Sequence, residues 1–152
     1  MDRVFEHMLV ATDGSPLGDR ALELALRLGS ESRVTALLVA HDYGLLDYAQ
    51  AAVHQRPDAK ELRDAIAASG EQALQAALMR ATREHGHADR VERRVIVSDR
   101  APWQEITEMA VRWGCDLIVM ASHGVGGRLA GPLGSQATAV LLSAKVPVLV
   151  TH

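Results

Sequence analysis

Short β-rich runs alternate with helix-patterned segments along the whole chain, and this alternation leaves few folds open. "HMLVAT" (7–12), "RVTALLVA" (33–40), "RVERRVIVS" (90–98), "DLIVMA" (116–121) and "VPVLVT" (146–151) are the strand candidates. Most of them are too evenly apolar for a strand with one wet face, so they suit a sheet covered on both sides. Strands separated by helices predict a parallel sheet, and right-handed crossovers make it doubly wound. The expected fold class is therefore α/β: a single-domain three-layer sandwich over residues 1–152, with a five-stranded parallel sheet and about four helices. A chain of 152 residues can bury roughly 70% of its unfolded surface, enough for one core.

The helices carry their own punctuation. Ser15 is placed to cap the first, Pro16 to open it and Gly29 to stop it, with Ala21, Leu24, Ala25 and Leu28 as the apolar stripe. A second helix is expected from about Asp58 to His85, with Leu62, Ile66, Ala73, Ala77 and Ala81 on one side and Ser69-Gly70 as a place to bend. Pro102 opens a third, carrying Ile106, Met109, Ala110 and Trp113 and closed by Gly114; residues 135–144 form the fourth. The segment from His41 to Pro57 reads as a long connection, a lid or a surface loop.

Composition removes several function classes. Net charge is –3 with acidic and basic residues interleaved, and the densest basic spot is "ERR" at 92–94. That is too small for a nucleic-acid footprint. No apolar run reaches the ~18 residues of a membrane span, and no signal-peptide core follows Met1, which points to the cytoplasm. The single cysteine, Cys115, excludes an internal disulfide and reads as apolar filler in preference to a reactive thiol. "HGH" at 85–87 and "HD" at 41–42 lack metal-ligand spacing, so no metal site is expected, and His85 and His87 read as the end of a helix.

Chemistry concentrates in "MASHGVGGRLAGPLGSQATAVL" (120–141). Clustered glycines cost conformational entropy and need a geometric reason. Gly124, Gly126 and Gly127 can present successive backbone N–H groups as an anion nest, with Arg128 as electrostatic helper. A helix beginning at Gly134-Ser135 points its dipole at the same place. The alternative is a mobile surface loop before a capped helix. Ser135 can cap or donate to phosphate; His123 can bind phosphate, orient water or pack as a neutral ring. There is no Walker A sequence, and "GVGGRL" does not complete the dinucleotide fingerprint. Asp13, in "ATDGS", can accept ribose hydroxyls at the sheet's carboxyl edge or close an Asx turn. No Ser–His–Asp spacing supports nucleophilic catalysis, and the loop holds neither a lysine nor an acid for efficient phosphoryl transfer.

Taken together, "MLVATDGSPLGDRALELAL", then "DLIVMASHG" with "GS" nine residues on, then "VPVLV", resemble the universal stress protein family over nearly the whole chain. The resemblance implies an adenine-nucleotide hydrolase-like, Rossmann-like sandwich and a family divided between ATP-binding members and members that bind no nucleotide. It implies that Asp13 holds the ribose, that Val39 with Ala11 and Met120 lines the adenine, and that Gly124, Gly134 and Ser135, followed by Gln136, hold phosphates. Thr12, Ala121 and Ser122 complete the expected site. Ala121 stands where the motif has its first glycine, and Gly131-Pro132 stand in a stretch that is usually basic and helical. ATP, with or without Mg2+, is the expected ligand, with ADP and AMP open. The implied role is a stress-response sensor or regulator. The alternatives are a dimeric interaction module that binds no nucleotide, or at most a slow ATP hydrolase using His123. The family also implies homodimers paired through the last strand (Val146, Val148, Leu149 and Val150), whose apolar edge would otherwise need a covering helix.

Overall fold

A computed structural model describes residues 4–42, 58–84, 86–124 and 131–152. Its five strands are β1 (His7–Ala11), β2 (Arg33–His41), β3 (Val91–Ser98), β4 (Leu117–Ala121) and β5 (Val148–Thr151). They form one sheet in the order β3-β2-β1-β4-β5, and every neighbouring pair is parallel. Four α-helices lie among the described residues: α1 (Pro16–Leu28), α2 (Ala59–Ala81), α3 (Pro102–Arg112) and α4 (Ser135–Ser143). The strand order runs outward from β1 in both directions, so the doubly wound topology has its switch point between β1 and β4.

The two faces of the sheet carry separate cores. On one, Met8, Val10, Val34, Ala36 and Val119 pack against α1 and α2. On the other, Leu9, Leu37, Ile118 and Met120 pack against α3 and α4. Alternate residues of β1 thus serve opposite cores, which is why its five residues are all buried.

Several boundaries differ from expectation for physical reasons. The buried stripe of α1 is Gly18, Ala21, Leu22, Ala25 and Leu26, while Leu24 is half-buried and Leu28 exposed. Leucine at 22, 24, 26 and 28 fits two helical stripes, and packing against the sheet selects one. α2 runs unbroken through Ser69-Gly70 and ends at Ala81, with Thr82 as its C-cap. Gly70 therefore marks close packing: a Cβ there would lie 2.8 Å from Val95 Cγ1 on β3. Leu74 and Leu78 are buried on α2 beside Ala77 and Ala81, whereas Leu62, Ile66 and Ala73 are half-buried. His87 does not end the helix; it sits at φ 74° before a one-turn 3-10 helix, Ala88–Arg90. His85 and most of the 41–57 connection lie outside the described residues. Gly114, at φ 65°, follows α3 as expected.

A polar cluster closes the amino-terminal edge of the sheet. Asp116 accepts the backbone N–H groups of Glu6 (2.7 Å) and His7 (3.0 Å). The buried His7 ring donates from Nδ1 to the Trp113 carbonyl (3.1 Å), which leaves Nε2 to accept from Thr35 Oγ1 (2.8 Å). Burial, reinforced by Arg33, holds the His7 pKa below its ordinary value. The neighbouring Cys115 thiol is pushed up to about 11, mainly by burial, which fits the filler reading. A histidine that prefers to stay neutral when folded favours the native state above about pH 6.5, and that contribution is lost as pH falls through the unfolded value toward the folded one. Urea titrations between about pH 7 and pH 5 should show stability falling, with a shallower fall in His7→Asn. An equal slope in the variant would place the proton uptake elsewhere.

Candidate functional site

A cavity of about 390 Å³ opens beyond the carboxyl ends of β2, β1 and β4. It is lined by Ala11, Thr12, Asp13, Val39, Met120, Ala121, Ser122, His123, Gly124, Gly134, Ser135 and Gln136. These are the expected site residues that fall among the described positions; Gly126, Gly127 and Arg128 lie outside them. The switch point collects them, because β1 and β4 both stop there and the helices that follow them, α1 and α4, pack on opposite faces.

Asp13 sits in a tight turn leaving β1. Thr12 still donates its N–H to Leu37 O (3.0 Å) as the last rung of the β1–β2 ladder. Then Gly14 N–H donates to Thr12 Oγ1 (3.1 Å), Ser15 N–H to Asp13 Oδ1 (3.0 Å), and Gly18 N–H to Ser15 Oγ (3.2 Å), the N-cap of α1. Asp13 therefore does close an Asx turn, and it does so with one oxygen. Oδ2 faces Gly124 closely enough that a Cβ on Gly124 would clash with it.

The β4 loop and the start of α4 lock together across the cavity. Gly134 N–H donates to Ser122 O (2.8 Å), and a Cβ on Gly134 would come within 2.9 Å of that same oxygen. Gly134 is the N-cap of α4 and makes no side-chain cap, so Ser135 becomes the first helical residue. Its hydroxyl is accordingly not the cap, one of the two roles open to it. His123 is buried with Nδ1 3.1 Å from Ser122 Oγ. Its Nε2 has no hydrogen-bond partner among the described residues.

Five lining residues were not anticipated: Gly18, Leu37, Pro102, Ile106 and Ala137. Leu37 was within reach, since it lies two residues before Val39 on the same side of β2. Pro102 and Ile106 come from the first turns of α3, and Gln136 Oε1 accepts the Trp103 backbone N–H there (3.0 Å). That bond supplies a free N–H of α3 with a partner from α4, and no local pattern announces it. Among the described residues no three His, Cys, Asp or Glu side chains gather as a metal-holding group. No described helix is long and apolar enough to cross a membrane.

A model of the universal stress protein family matches residues 5–152. Universal stress protein YxiE of Bacillus subtilis (strain 168) is 29% identical over 153 residues, covering 98% of this chain and 100% of that protein. The solved structure of universal stress protein UspA from Lactobacillus plantarum has a TM-score of 0.77 at 23% identity, covering 97% of each chain. The universal stress protein from Archaeoglobus fulgidus, solved in complex with dAMP, has a TM-score of 0.60 at 21% identity, covering 97% of this chain and 98% of that one.

Proposed function

The chain belongs to the universal stress protein family, and from that premise we propose that it binds an adenine nucleotide, ATP with or without Mg2+, in the switch-point cavity. In this reading it acts as a stress-response sensor or regulator, with at most slow hydrolysis. The observation that carries the reading is the order of chemistry along the sheet. Strand order β2-β1-β4 sets an apolar wall (Leu37, Val39), then a carboxylate (Asp13), then a glycine loop and helix N-terminus (Gly124, Gly134, Ser135) side by side. With strands about 4.8 Å apart, the span from β2 to β4 is about 10 Å, which suits base, ribose and phosphate in turn. The Archaeoglobus fulgidus protein carries an adenine nucleotide on the same fold.

Backbone geometry supports adenine as the base. Leu37 turns its C=O toward β1, where Thr12 takes it. Alternate residues of a strand face the same neighbour, so Val39 turns its N–H and C=O to that side too, past the point where β1 ends. A donor beside an acceptor matches adenine N1 and N6; guanine presents the opposite pair. Among described lining residues the titratable side chains are Asp13 and His123, and Asp13 already spends one oxygen on its own turn. That supports retention of ATP over its rapid consumption.

Protein purified without nucleotide, denatured and run on ion exchange beside AMP, ADP and ATP standards should release ATP. In titrations of emptied protein, ATP should bind about a hundredfold more tightly than GTP, the cost of two mismatched hydrogen bonds. Equal binding of the two, or none of either, would sink the reading.

We propose as well that two copies pair through β5. That strand is one of the sheet's two edges, its four residues are all half-buried, and Leu141 and Leu142 on the adjacent α4 are exposed. Pro147 and Thr151 direct their carbonyls to β4, so by alternation Val148 and Val150 turn N–H and C=O to the free edge. Val150→Pro deletes one of those outward donors and leaves the β4 ladder alone. Sedimentation should find wild type dimeric and Val150→Pro monomeric, with far-UV circular dichroism unchanged. A variant that remains dimeric rules the edge out.

A further inference from the structure

Arg80 lies near the end of α2 and does not line the cavity, yet it grips the turn that presents Asp13. Its Nε donates to Asp19 Oδ2 (2.7 Å) and its Nη2 to Asp19 Oδ1 (3.1 Å), a forked pair with the first turn of α1. The same Nη2 also donates to the Gly14 carbonyl (3.1 Å). Gly14 stands at φ 81°, the left-handed region that reverses the chain between Asp13 and Ser15. We infer that Arg80 is a positioning residue for ribose recognition, holding the Asp13-Gly14-Ser15 turn from the α2 side so that the Asp13 carboxylate keeps its place in the cavity wall, with Oδ2 beside Gly124.

The chain of contacts is continuous. Asp13 Oδ1 is tied to Ser15 N–H (3.0 Å), so the direction of the carboxylate follows the peptide planes on either side of Gly14. One of those planes ends in the carbonyl that Arg80 holds. Asp19 is mostly shielded while Arg80 is half-exposed, so the pair is a weak source of global stability. Its geometric effect is stronger: a planar fork fixes both partners, where a lysine ammonium would serve one at a time.

The inference rests on Asp13 holding the ribose, and the test separates the two. Affinities of ATP and of 2′,3′-dideoxyATP, which lacks both ribose hydroxyls, would be measured calorimetrically for wild type, Arg80→Ala and Arg80→Lys. Wild type should prefer ATP by about tenfold, one charge-assisted hydrogen bond's worth. In Arg80→Ala the preference should shrink to about twofold, entirely through weaker ATP binding, with dideoxyATP affinity unchanged. Arg80→Lys should fall between. Asp19→Asn, which breaks the fork from its other side, gives the same readout should Arg80→Ala fold poorly. Purely structural loosening would weaken both ligands in parallel and would overturn the inference, as would an unchanged preference. A wild type that binds the two equally refutes the ribose role of Asp13, and the inference falls with it.

Discussion

Gly124→Ala should lower ATP affinity by about thirtyfold or more while lowering the melting temperature of the empty protein by only a few degrees, about 1 kcal/mol of local overpacking. The residue is exposed three residues beyond β4 and its φ is not in the left-handed region, so alanine meets no backbone penalty there. What it does meet is Asp13: the new methyl would occupy the space of Oδ2. The carboxylate cannot retreat freely, because Oδ1 is held by Ser15 N–H (3.0 Å). The methyl therefore either pushes Asp13 off its line or pushes the β4 loop out of the cavity, and both damage the space between ribose and phosphate. A double-mutant cycle distinguishes this from a general loss. In an Asp13→Ala background the clash is absent, so adding Gly124→Ala should cost little more, and strong non-additivity is the expected signature. Wild-type affinity in Gly124→Ala would mean that the nucleotide binds elsewhere.

Much of this arrangement is legible from residues alone, and the remainder is not for identifiable reasons. Strands read well because two-sided burial leaves apolar runs, and helix starts read well because Ser15, Pro16, Pro102 and Gly134 advertise themselves locally. The lining of the cavity by residues from three strand ends follows from the same logic, since a doubly wound sheet brings those ends to one edge. Long-range neighbours are what stay hidden. Gly70 reads as a bend until Val95 is seen against it. α1 offers two leucine stripes, and only the sheet's approach chooses between them. The readings of Asp13 as an Asx turn and as a cavity carboxylate exclude one another only when the side chain is treated as one acceptor; with two oxygens it can do both. Pro102 and Ile106 enter the cavity through the crossover of α3, which no spacing in the chain encodes.

Leu9→Ala should destabilise the fold by about 3 kcal/mol, within the range for a buried leucine emptied to a methyl. In a chain of this size that is a fall in melting temperature of about 6–12 °C. Leu9 is fully buried at the middle of β1, opposite Thr35 on β2 and Ile118 on β4. Strands flank it on both sides, so its neighbours cannot collapse into the gap without breaking ladder hydrogen bonds, and the cavity term stays large. The same variant separates the core from the site. Leu9 shares a sheet face with Ala11, Leu37 and Met120, which line the cavity, but it lies one strand period deeper and does not line it. Ligand stabilisation follows occupancy and affinity alone. Saturating ATP should therefore raise the melting temperatures of Leu9→Ala and wild type by similar increments, from different starting points. A variant that lost stability and ATP response together would mean that the cavity floor depends on core packing, and that the sheet face under α3 and α4 cannot be divided into a structural layer and a binding layer.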